Sequence, residues 1–330
     1  MSLTSNTSIV IVTYNHQEFI EECLKSLIKE KALEIIVVDN NSTDKTVEII
    51  QKNFKQIKLI KNHENTGYGS GINLGVKTAK GKYMVIINPD TKIKVNSIHE
   101  VLKPLKKDEN LITTSKILYY NGNQINTCGN KEHFTGLAFT RGLGDNPECF
   151  NDFEFVNGLS GVCFALKKDN FEDIGGFDEN FFIYMEDTEL SWRCKAKGLN
   201  VLYVPTSVVY HDYTLIVTPE KLYHLEKGRY IILRRYLTWR EYLIISPSLI
   251  MTEILTWGYS ILKGPSGIKF KLLAIRDGLF MEIKEIESDR RKLLKSLDWK
   301  IPTRQLSYTL LDRLVRKAAN LIYKVNFRLL

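Results

Sequence analysis

The sequence predicts an α/β fold, in which a doubly wound, mixed or largely parallel sheet is followed by a helical C-terminal region. Three observations lead to this prediction. Buried-strand and amphipathic-helix patterns alternate from residue 8 to residue 87, as right-handed βαβ units require. Small, polar or acidic residues follow each of the four strand patterns. From Pro219 onward the hydrophobic spacing is almost wholly helical.

The first strand is predicted over residues 8–13, where Ile and Val run together as they do in strands buried on both faces. Apolar side chains at helical spacing then predict a helix over 16–30. A second strand, 34–39, ends in the carboxylate of Asp39. On the same grounds we predict helices over 43–53 and 68–80 and strands over 57–61 and 82–87.

The alternation weakens after residue 110. Residues 119–152 are rich in Asn, Gly and aromatic side chains, which favours a long loop or a hairpin insertion. A helix over 186–197 is followed by Gly198 in the C′ position, and a late strand over 200–204 comes next. We therefore divide the chain into an α/β domain, residues 1–215, and a helical region, residues 216–330.

The composition excludes several classes of protein. With 44% hydrophobic and 25% charged residues, the chain is an ordinary globular protein. Its five cysteines are scattered and form no C-x-x-C pair, which argues against a disulfide framework or a zinc cluster and favours a reducing cytosol. The apolar run after the polar first eight residues is too short for a secretory signal, so we expect a cytoplasmic protein.

The net charge of +8 is unevenly distributed. Residues 1–220 contain 24 Lys and Arg against 28 Asp and Glu, a net charge of −4, whereas residues 221–330 contain 22 against 10, a net charge of +12. A uniformly basic chain would suggest a nucleic-acid partner. A mildly acidic body with a basic tail instead predicts anchoring to another anionic surface.

The residues after the predicted strands are the candidates for ligand binding, because open α/β sheets bind ligands beyond the carboxyl ends of their strands. All four sets are small, polar or acidic, and together they would line one rim. Such a rim is typical of a nucleotide pocket. The four sets are residues 13–15, 39–42, 62–71 and 88–91.

Seven motifs follow one another along the α/β part of the chain. They are IVIVTYN (9–15), IVVDNNSTD (36–44), NTGYGSGIN (65–73), INPD (87–90), GGFD (175–178), FIYMED (182–187) and YH (210–211). This ordered set resembles family 2 glycosyltransferases of the GT-A fold, and in particular the branch that contains rhamnosyltransferases. Each motif alone is weak evidence, but the ordered set, which extends over residues 8–212, is specific.

The resemblance implies transfer of a sugar, with rhamnose favoured, from a UDP- or dTDP-sugar to a hydroxyl of a saccharide or lipid-linked saccharide. It divides the α/β domain into a half that binds the nucleotide sugar, 1–118, and an acceptor side, 119–215. The donor-binding residues that it implies are Thr13, Tyr14, Asn15, Asp39, Asn40, Asn65, Gly67, Asn73, Asn88 and Asp90.

Asp39 is expected to select the base, because its carboxylate at a strand end can accept the imide N–H of uracil or thymine. The alternative is that Asp39 caps the helix that begins near Thr43, where Ser42 and Asp44 are also good capping residues.

Asp90 stands where the family places a metal-binding acid, and the resemblance implies His211 as the second ligand. A divalent cation, Mg²⁺ or Mn²⁺, stabilises the charge of a departing diphosphate, and an imidazole ligand favours manganese. The sequence departs from the family's D-x-D pattern at Asn88, which can bond a ribose but adds no charge. The alternatives are a turn built by Pro89 and a purely structural histidine.

Asp187 is implied as the general base and Glu186 as an acceptor-side residue. Neighbouring residues at the start of a helix cannot face the same way, so only one of the two can point into the site. A carboxylate at a helix N-terminus stays ionised and can take the proton of the acceptor hydroxyl. Direct attack with one base inverts the anomeric carbon. The alternative is an ordinary acid of a helix first turn.

We compared this interpretation with three other functions, and the sequence argues against each. A dehydrogenase is improbable, because Gly67, Gly69 and Gly71 do not fit the G-x-G-x-x-G spacing and follow the third strand. A sugar nucleotidyltransferase needs a basic loop that residues 10–17 lack. A non-catalytic nucleotide- or glycan-binding module would tolerate the loss of Asp90 and Asp187, yet both are present.

The basic tail contains two long apolar patterns. Residues 242–262 are interrupted by Pro247, Glu253 and Gly258, so they form a poor membrane span. Residues 310–330 predict a basic amphipathic helix suited to an anionic membrane surface. We expect peripheral binding to the cytosolic face of a membrane. The alternative, compatible with it, is a subdomain that packs on the core or on a second subunit.

Overall fold

The alternating patterns of the first 87 residues fold as the sequence predicts. The computed structural model describes residues 3–214, 216–283, 290–302 and 310–330, with the side chains of 290–292 and 310–312 outside the description. The strands are β1 (Thr7–Thr13), β2 (Glu34–Asp39), β3 (Lys58–Lys61) and β4 (Tyr83–Ile87), and the helices are α1 (Ile20–Ile28), α2 (Thr46–Asn53) and α3 (Tyr68–Lys77).

The remainder of the α/β part adds strands of both directions. A 3₁₀ turn, Thr4–Asn6, precedes β1, and two others are Lys103–Lys106 and Pro147–Cys149. The other strands and helices are β5 (Thr91–Ile93), α4 (Ser97–Leu102), β6 (Leu111–Tyr119), β7 (Ile125–Thr127), β8 (Asn130–Glu132), β9 (Ala138–Thr140), β10 (Glu154–Val156), β11 (Cys163–Lys167), α5 (Lys168–Asp173), α6 (Glu186–Ala196) and β12 (Asn200–His211).

The main sheet has the strand order β10-β12-β6-β11-β4-β1-β2-β3, with β5 paired to β12 and β7 to β6. The pairs β4-β1, β1-β2, β2-β3 and β6-β12 are parallel, whereas β11 runs antiparallel between β4 and β6. The sheet is therefore mixed, and the predicted fold class is confirmed.

Helices cover both faces of this sheet, and the side chains of β1 show it. Ile9 and Ile11 belong to one buried cluster, with Leu24 of α1, whereas Val10 and Val12 belong to a second cluster on the opposite face. The α3 helix lies so close to that second face that a Cβ on Gly75 would stand 2.4 Å from a methyl of Val10. A sheet covered on both faces explains why β1 is apolar at successive positions.

The chain divides into two units. The first, the α/β unit, comprises residues 1–130, 140–194 and 198–214, and the second, the helical unit, comprises 131–139, 195–197 and 215–330. The helices of the helical unit are α7 (Pro219–Tyr236), α8 (Trp239–Leu262), α9 (Gly264–Phe280), α10 (Arg290–Lys295) and α11 (Leu310–Phe327). Within the parts of the chain that are described, no helix is both long and apolar enough to span a bilayer.

Pro247 lies inside α8, where it removes one backbone donor and bends the hydrogen-bond ladder. The side chain of Asn326 on α11 repairs the interruption. Its amide donates to the carbonyl of Ile244 at 2.5 Å and accepts from the N–H of Ser248 at 3.2 Å. The Ser246 hydroxyl donates to the carbonyl of Leu243 at 2.9 Å. Thus α8 continues as one helix past the proline.

A buried cluster of charges joins three helices of this unit. Glu226 and Arg229 of α7 form an ion pair at 2.7 Å, and Lys271 of α9 pairs with both Glu226 and Glu253 of α8. Burial alone would raise the pKa of Glu226, but the two cations outweigh it and lower that pKa to about 2. The cluster is thus internally neutralised.

Candidate active site

The carboxyl ends of β1, β2 and β4 lie side by side because these strands are parallel neighbours. Thr13, the last residue of β1, is in register with Asp39, the last residue of β2. Asn88 and Asp90 follow directly on β4. The fold therefore gathers these predicted donor-binding residues at one edge of the sheet.

The side chain of Asn15 joins the loop after β1 to the loop after β2, and acidic side chains hold the second loop in shape. Asn15, with φ of 58°, accepts from the backbone N–H of Thr43 at 2.8 Å through its side-chain oxygen, and Tyr14 beside it is exposed. The buried carboxylate of Asp39 accepts from the N–H and the hydroxyl of Ser42 at 2.9 and 2.5 Å. The first turn of α2 is bonded by Asp44 instead, whose Oδ1 accepts from the N–H of Thr46 at 2.9 Å.

The loop before α3 is held by buried amides. Asn40 donates to the carbonyl of Gly67 at 2.8 Å and accepts from the amide of Asn62 at 2.7 Å, while Asn65 accepts from the N–H of Gly67 at 3.0 Å. Gly67 has φ of +87°, and a Cβ there would stand 2.4 Å from the carbonyl oxygen of Phe182. Only glycine fits this position, which brings the 62–67 loop against the segment that precedes Glu186.

Asn73 is placed differently from the other predicted donor-binding residues. It lies on α3, and its amide is engaged on both sides by the backbone of Phe177, donating at 2.9 Å and accepting at 2.8 Å. Its geometry fits a residue that holds the GGFD segment in place rather than one that faces a nucleotide.

Asp90 and His211 meet across the end of the sheet. Strand β12 runs on to His211, and β5 pairs with it, so that Thr91 is in register with His211. Asp90 Oδ2 lies 3.3 Å from His211 Nε2, while His211 Nδ1 contacts Asn126 Oδ1 at 3.0 Å. The ring of His211 also stacks on Tyr213, with centroids 5.5 Å apart. A histidine held by an amide on one nitrogen presents the other in a fixed direction.

This pair fits a divalent cation. Among the described residues, the other carboxylate oxygen of Asp90 is buried without a hydrogen-bond partner, and so is the side-chain oxygen of Asn88. Two ligands at right angles around a cation, each about 2.1 Å from it, would lie about 3 Å apart, close to the separation of Oδ2 and Nε2. No group of three or more His, Cys, Asp or Glu side chains in the described part of the chain is arranged to hold a metal ion.

The carboxylate of Asp187, the second residue of α6, is fixed by three N–H donors. Its Oδ2 accepts from the backbone of Gly161 and from the Asn130 amide, both at 3.1 Å, and its Oδ1 accepts from the N–H of Thr188 at 2.8 Å. Burial raises the pKa of Asp187, and these donors oppose the rise. A half-buried, oriented carboxylate with a raised pKa is suited to accept a proton.

Glu186 differs from its neighbour. Its side chain is buried, and its Oε2 has no hydrogen-bond partner among the described residues. Burial first and the adjacent Asp187 second raise the pKa of Glu186 to about 8, so both its surroundings and its neighbour oppose ionisation of Glu186. The two residues before them, Tyr184 and Met185, have φ of 64° and 68°. Left-handed conformations at two consecutive non-glycine residues store strain next to the acids.

Hydrogen bonds to residues 161 and 162 connect the segment that contains Asn88 and Asp90 to Asp187. The N–H of Asn88 donates to the carbonyl of Val162 at 3.0 Å, one residue beyond the Gly161 N–H that binds Asp187. The hydroxyl of Tyr68 donates to the carbonyl of Gly161 at 2.9 Å, and burial together with the nearby acids raises its pKa well above the usual value. Asn88, Asp90, His211 and Asp187 therefore belong to one site.

A cavity of about 420 Å³ opens beside His211. Three tyrosines give it aromatic walls, and Asn121, Gln124 and Asp212 supply polar groups. Tyr119 and Tyr213 face each other across 6.5 Å between ring centroids. The lining residues are Tyr119, Tyr120, Asn121, Gln124, His211, Asp212 and Tyr213.

The sequence did not predict the residues that orient the side chains of the candidate site. Asn126 and Asn130, which contact His211 and Asp187, lie in the Asn-rich insertion whose composition was the only signal. His16 was missed as well. Burial lowers the pKa of His16, and the negative charges of Asp90 and Asp44 oppose that shift. A local sequence pattern does not predict contacts between residues that lie so far apart in the chain.

Comparison with known proteins identifies the family. A family model described as glycosyl transferase family 2 matches residues 8–175, just over half of the chain. The chain belongs to glycosyltransferase family 2. A second model, described as the N-terminal domain of galactosyltransferase, matches residues 151–218 of this family 2 member, the stretch that contains Asp187 and His211.

Curated relatives of this family 2 glycosyltransferase are themselves glycosyltransferases. An N-acetylglucosaminyl-diphospho-decaprenol L-rhamnosyltransferase of Mycobacterium tuberculosis is 26% identical over 260 residues, covering 70% of this chain and 85% of that protein. The low-salt glycan biosynthesis hexosyltransferase Agl10 of Haloferax volcanii is 28% identical, over 61% of this chain and 65% of its own length. The resemblance inferred from the motifs is thus confirmed.

Solved structures share the fold at low identity. A structure of GalNAc-T7 with UDP, GalNAc and Mn²⁺ has a TM-score of 0.60 and 22% identity, covering 82% of this chain and 54% of that chain. A mannosyltransferase of Pyrobaculum calidifontis with GDP-Man and Mn²⁺ has a TM-score of 0.53 and 15% identity, covering 98% and 87%. These likenesses establish the GT-A architecture of the family 2 chain.

Proposed function

We propose that the protein is an inverting, metal-dependent glycosyltransferase that moves a sugar, with rhamnose favoured, from a UDP- or dTDP-sugar to a hydroxyl of a saccharide or lipid-linked saccharide. The observation that carries this proposal is the placement of Asp187, held by three N–H donors, in one site with the Asp90–His211 pair. The named rhamnosyltransferase relative supports the choice of sugar and acceptor class.

In the proposed reaction the acceptor hydroxyl attacks the anomeric carbon of the donor sugar. Asp187 takes the hydroxyl proton, a bond forms between the acceptor oxygen and the anomeric carbon, and the bond from that carbon to the diphosphate oxygen breaks. The nucleoside diphosphate leaves with the bonding electron pair. One displacement from the face opposite the leaving group inverts the configuration.

The nucleotide is proposed to lie along the ends of β1, β2 and β4. Asp39 retains lone pairs beyond those that Ser42 occupies, so its carboxylate can accept the imide N–H of uracil or thymine. Asp90 and His211 would hold a divalent cation, Mg²⁺ or Mn²⁺, which when bound supplies positive charge to the diphosphate. Asn88 would then bond the ribose, since its side-chain oxygen has no hydrogen-bond partner in the described part of the protein. The tyrosine-walled cavity would take a sugar ring, since such cavities combine apolar faces with a few polar groups.

A donor screen tests the proposal. The purified full chain is incubated with UDP-, dTDP- and GDP-sugars and with two acceptors, a free saccharide and the same saccharide on a lipid diphosphate, in Mn²⁺ or in excess chelator. We expect Mn²⁺-dependent release of UDP or dTDP, greatest with a rhamnose donor, and a product of inverted configuration by NMR. Transfer only from GDP-sugars, or full transfer in chelator, would contradict the proposal.

A further inference from the structure

Three helices of the helical unit expose charge of one sign. On α8, α9 and α11, every charged side chain that is exposed within the described residues is basic. These six are Arg240, Lys269, Arg276, Arg313, Lys317 and Lys324.

The acidic side chains that the structure describes on the same helices are at most half-exposed and are bonded within the unit. Glu241 closes the capping box with Thr238, Glu253 pairs with Lys271 at 3.1 Å, and Asp277 accepts from the Tyr223 hydroxyl at 2.8 Å. The excess of positive charge in the last third of the sequence is therefore concentrated on the outside of these helices.

The outward face of α8 is apolar over most of its length. Leu243, Ile250, Ile254 and Ile261 are exposed, and at 100° per residue they fall within about 40° of one another on the helix. At 1.5 Å per residue, the row is about 27 Å long. Trp239 and Arg240 stand at its beginning and Lys263 at its end. We call this row the α8 face.

The two helices next to α8 also expose both apolar and basic side chains. The α9 helix, which contacts α8, exposes Ile268, Leu272 and Phe280 among its bases. The α11 helix, which also contacts α8, exposes Leu314, Leu321 and Val325 and buries Arg316 and Asn326. Apolar and basic side chains alternate on these exposed surfaces, which is the composition of helices that lie in a membrane interface.

We propose that the α8 face docks on an anionic phospholipid bilayer, with the apolar row in the headgroup region and the flanking bases on lipid phosphates. Charge complementarity favours this occupant over a second copy of the chain. A symmetric dimer through the α8 face would bring the basic surface of one copy against the same basic surface of the other, and no acidic side chain that the structure describes on α8, α9 or α11 is exposed to compensate. The inference extends the proposed function, since a lipid-linked acceptor would lie at that surface.

Vesicle sedimentation of the full chain tests the proposal, with phosphatidylglycerol–phosphatidylcholine vesicles against phosphatidylcholine alone. We expect binding to anionic vesicles only, weaker in high salt. The double variant Ile250→Glu/Ile254→Glu should bind at least about tenfold more weakly. Val95→Glu, at a 67% exposed position of the α/β unit, is the matched control and should bind normally. Lys269→Gln and Lys317→Gln should each lower the affinity by up to about fivefold.

Trp239 provides a readout of the face itself, because it is 67% exposed at the start of α8. Brominated lipid should quench part of the tryptophan fluorescence, and Trp239→Phe should remove that part. Donor hydrolysis by Ile250→Glu/Ile254→Glu should equal that of the wild type, so that loss of vesicle binding is separated from failure of the proposed chemistry. Absence of vesicle binding, binding that the double variant retains, or a dimer that the double variant abolishes would each overturn the proposal.

Discussion

Both units of the protein bury acidic side chains, and the charge cluster of the helical unit differs from the candidate site in how its acids are neutralised. In the helical unit, Glu226 and Glu253 lie against Arg229 and Lys271, and each acid has a cationic partner. In the α/β unit, the acids of the candidate site form no ion pair with any Lys or Arg of the described chain. These acids are Asp39, Asp90, Glu186 and Asp187, of which Asp90 alone has a histidine partner.

The pKa values diverge accordingly. The cations around Glu226 overcome its burial and lower its pKa to about 2, whereas burial and Asp187 raise the pKa of Glu186 to about 8. A buried acid that is paired internally needs no ligand, and removal of one partner leaves the other charge buried and uncompensated. Buried acids without cations are costly to keep, and such sites occur where a metal, a proton or a substrate completes the charge balance. The comparison therefore favours a structural role for the cluster of the helical unit and supports the chemical role proposed for the other acids.

The largest effect is expected from breaking the paired cluster. Glu226→Gln leaves Arg229 and Lys271 with Glu253 as their shared counter-charge, and we expect the free energy of unfolding to fall by about 3 kcal/mol. Denaturant unfolding followed by circular dichroism measures it. Glu220→Gln, at an exposed position of the same helix, is the control and should change it by less than about 0.5 kcal/mol. If both variants changed the free energy of unfolding equally, Glu226 would have no special role in the charge cluster of the helical unit.

The Asp90–His211 pair can be tested by binding alone. Asp90→Ala should weaken binding of UDP or dTDP in Mn²⁺ by about tenfold or more, because a cation ligand is lost. Isothermal titration calorimetry should show that this difference disappears in excess chelator. The exposed Asp152→Ala serves as the control. Equal affinities of wild type and Asp90→Ala in Mn²⁺ would remove Asp90 from the metal site.

Glu186 should leave a signature in the pH dependence of stability. Its pKa is about 8 in the folded chain and 4.5 ordinarily, so the stability that it contributes is present below pH 4.5 and is lost as the pH rises through 8. Glu186→Gln abolishes this loss. The variant should therefore gain about 3 kcal/mol relative to the wild type between pH 5 and pH 8. A constant difference across that range, as expected for the exposed Glu64→Gln, would show that Glu186 is ionised throughout.

Much of this architecture follows from local sequence pattern. The strand over 34–39 has the predicted bounds, and the helices over 68–77 and 186–196 begin where the sequence places them, because apolar spacing and capping act within a few residues. The predicted strand 200–204 is longer in the structure, Asn200–His211, since a register shift between Val204 and Val208 lets β12 continue beside β6.

Long-range contacts are what the sequence could not provide. The insertion of β11 antiparallel between β4 and β6 depends on pairing across the sheet, and no periodicity within β11 encodes its partners. For the same reason the motifs predicted Asp187 but not Asn130 or Gly161, which orient it. In the predicted basic amphipathic helix, the side chain of Leu311 lies outside the described residues. Further along the same helix, Leu314, Leu321 and Val325 are exposed.

The turnover of Asp187→Asn tests most directly the claim that the unpaired acids perform the chemistry. Asparagine keeps the shape of the side chain but cannot take a proton, so we predict that kcat falls by about 10² or more while the donor KM changes little. Because the pKa of Asp187 is raised, wild-type kcat/KM should decline at acidic pH, and the variant should lose that limb. Asp152→Asn is the matched control. Near-normal kcat for Asp187→Asn, with an unchanged pH profile, would show that Asp187 only begins a helix.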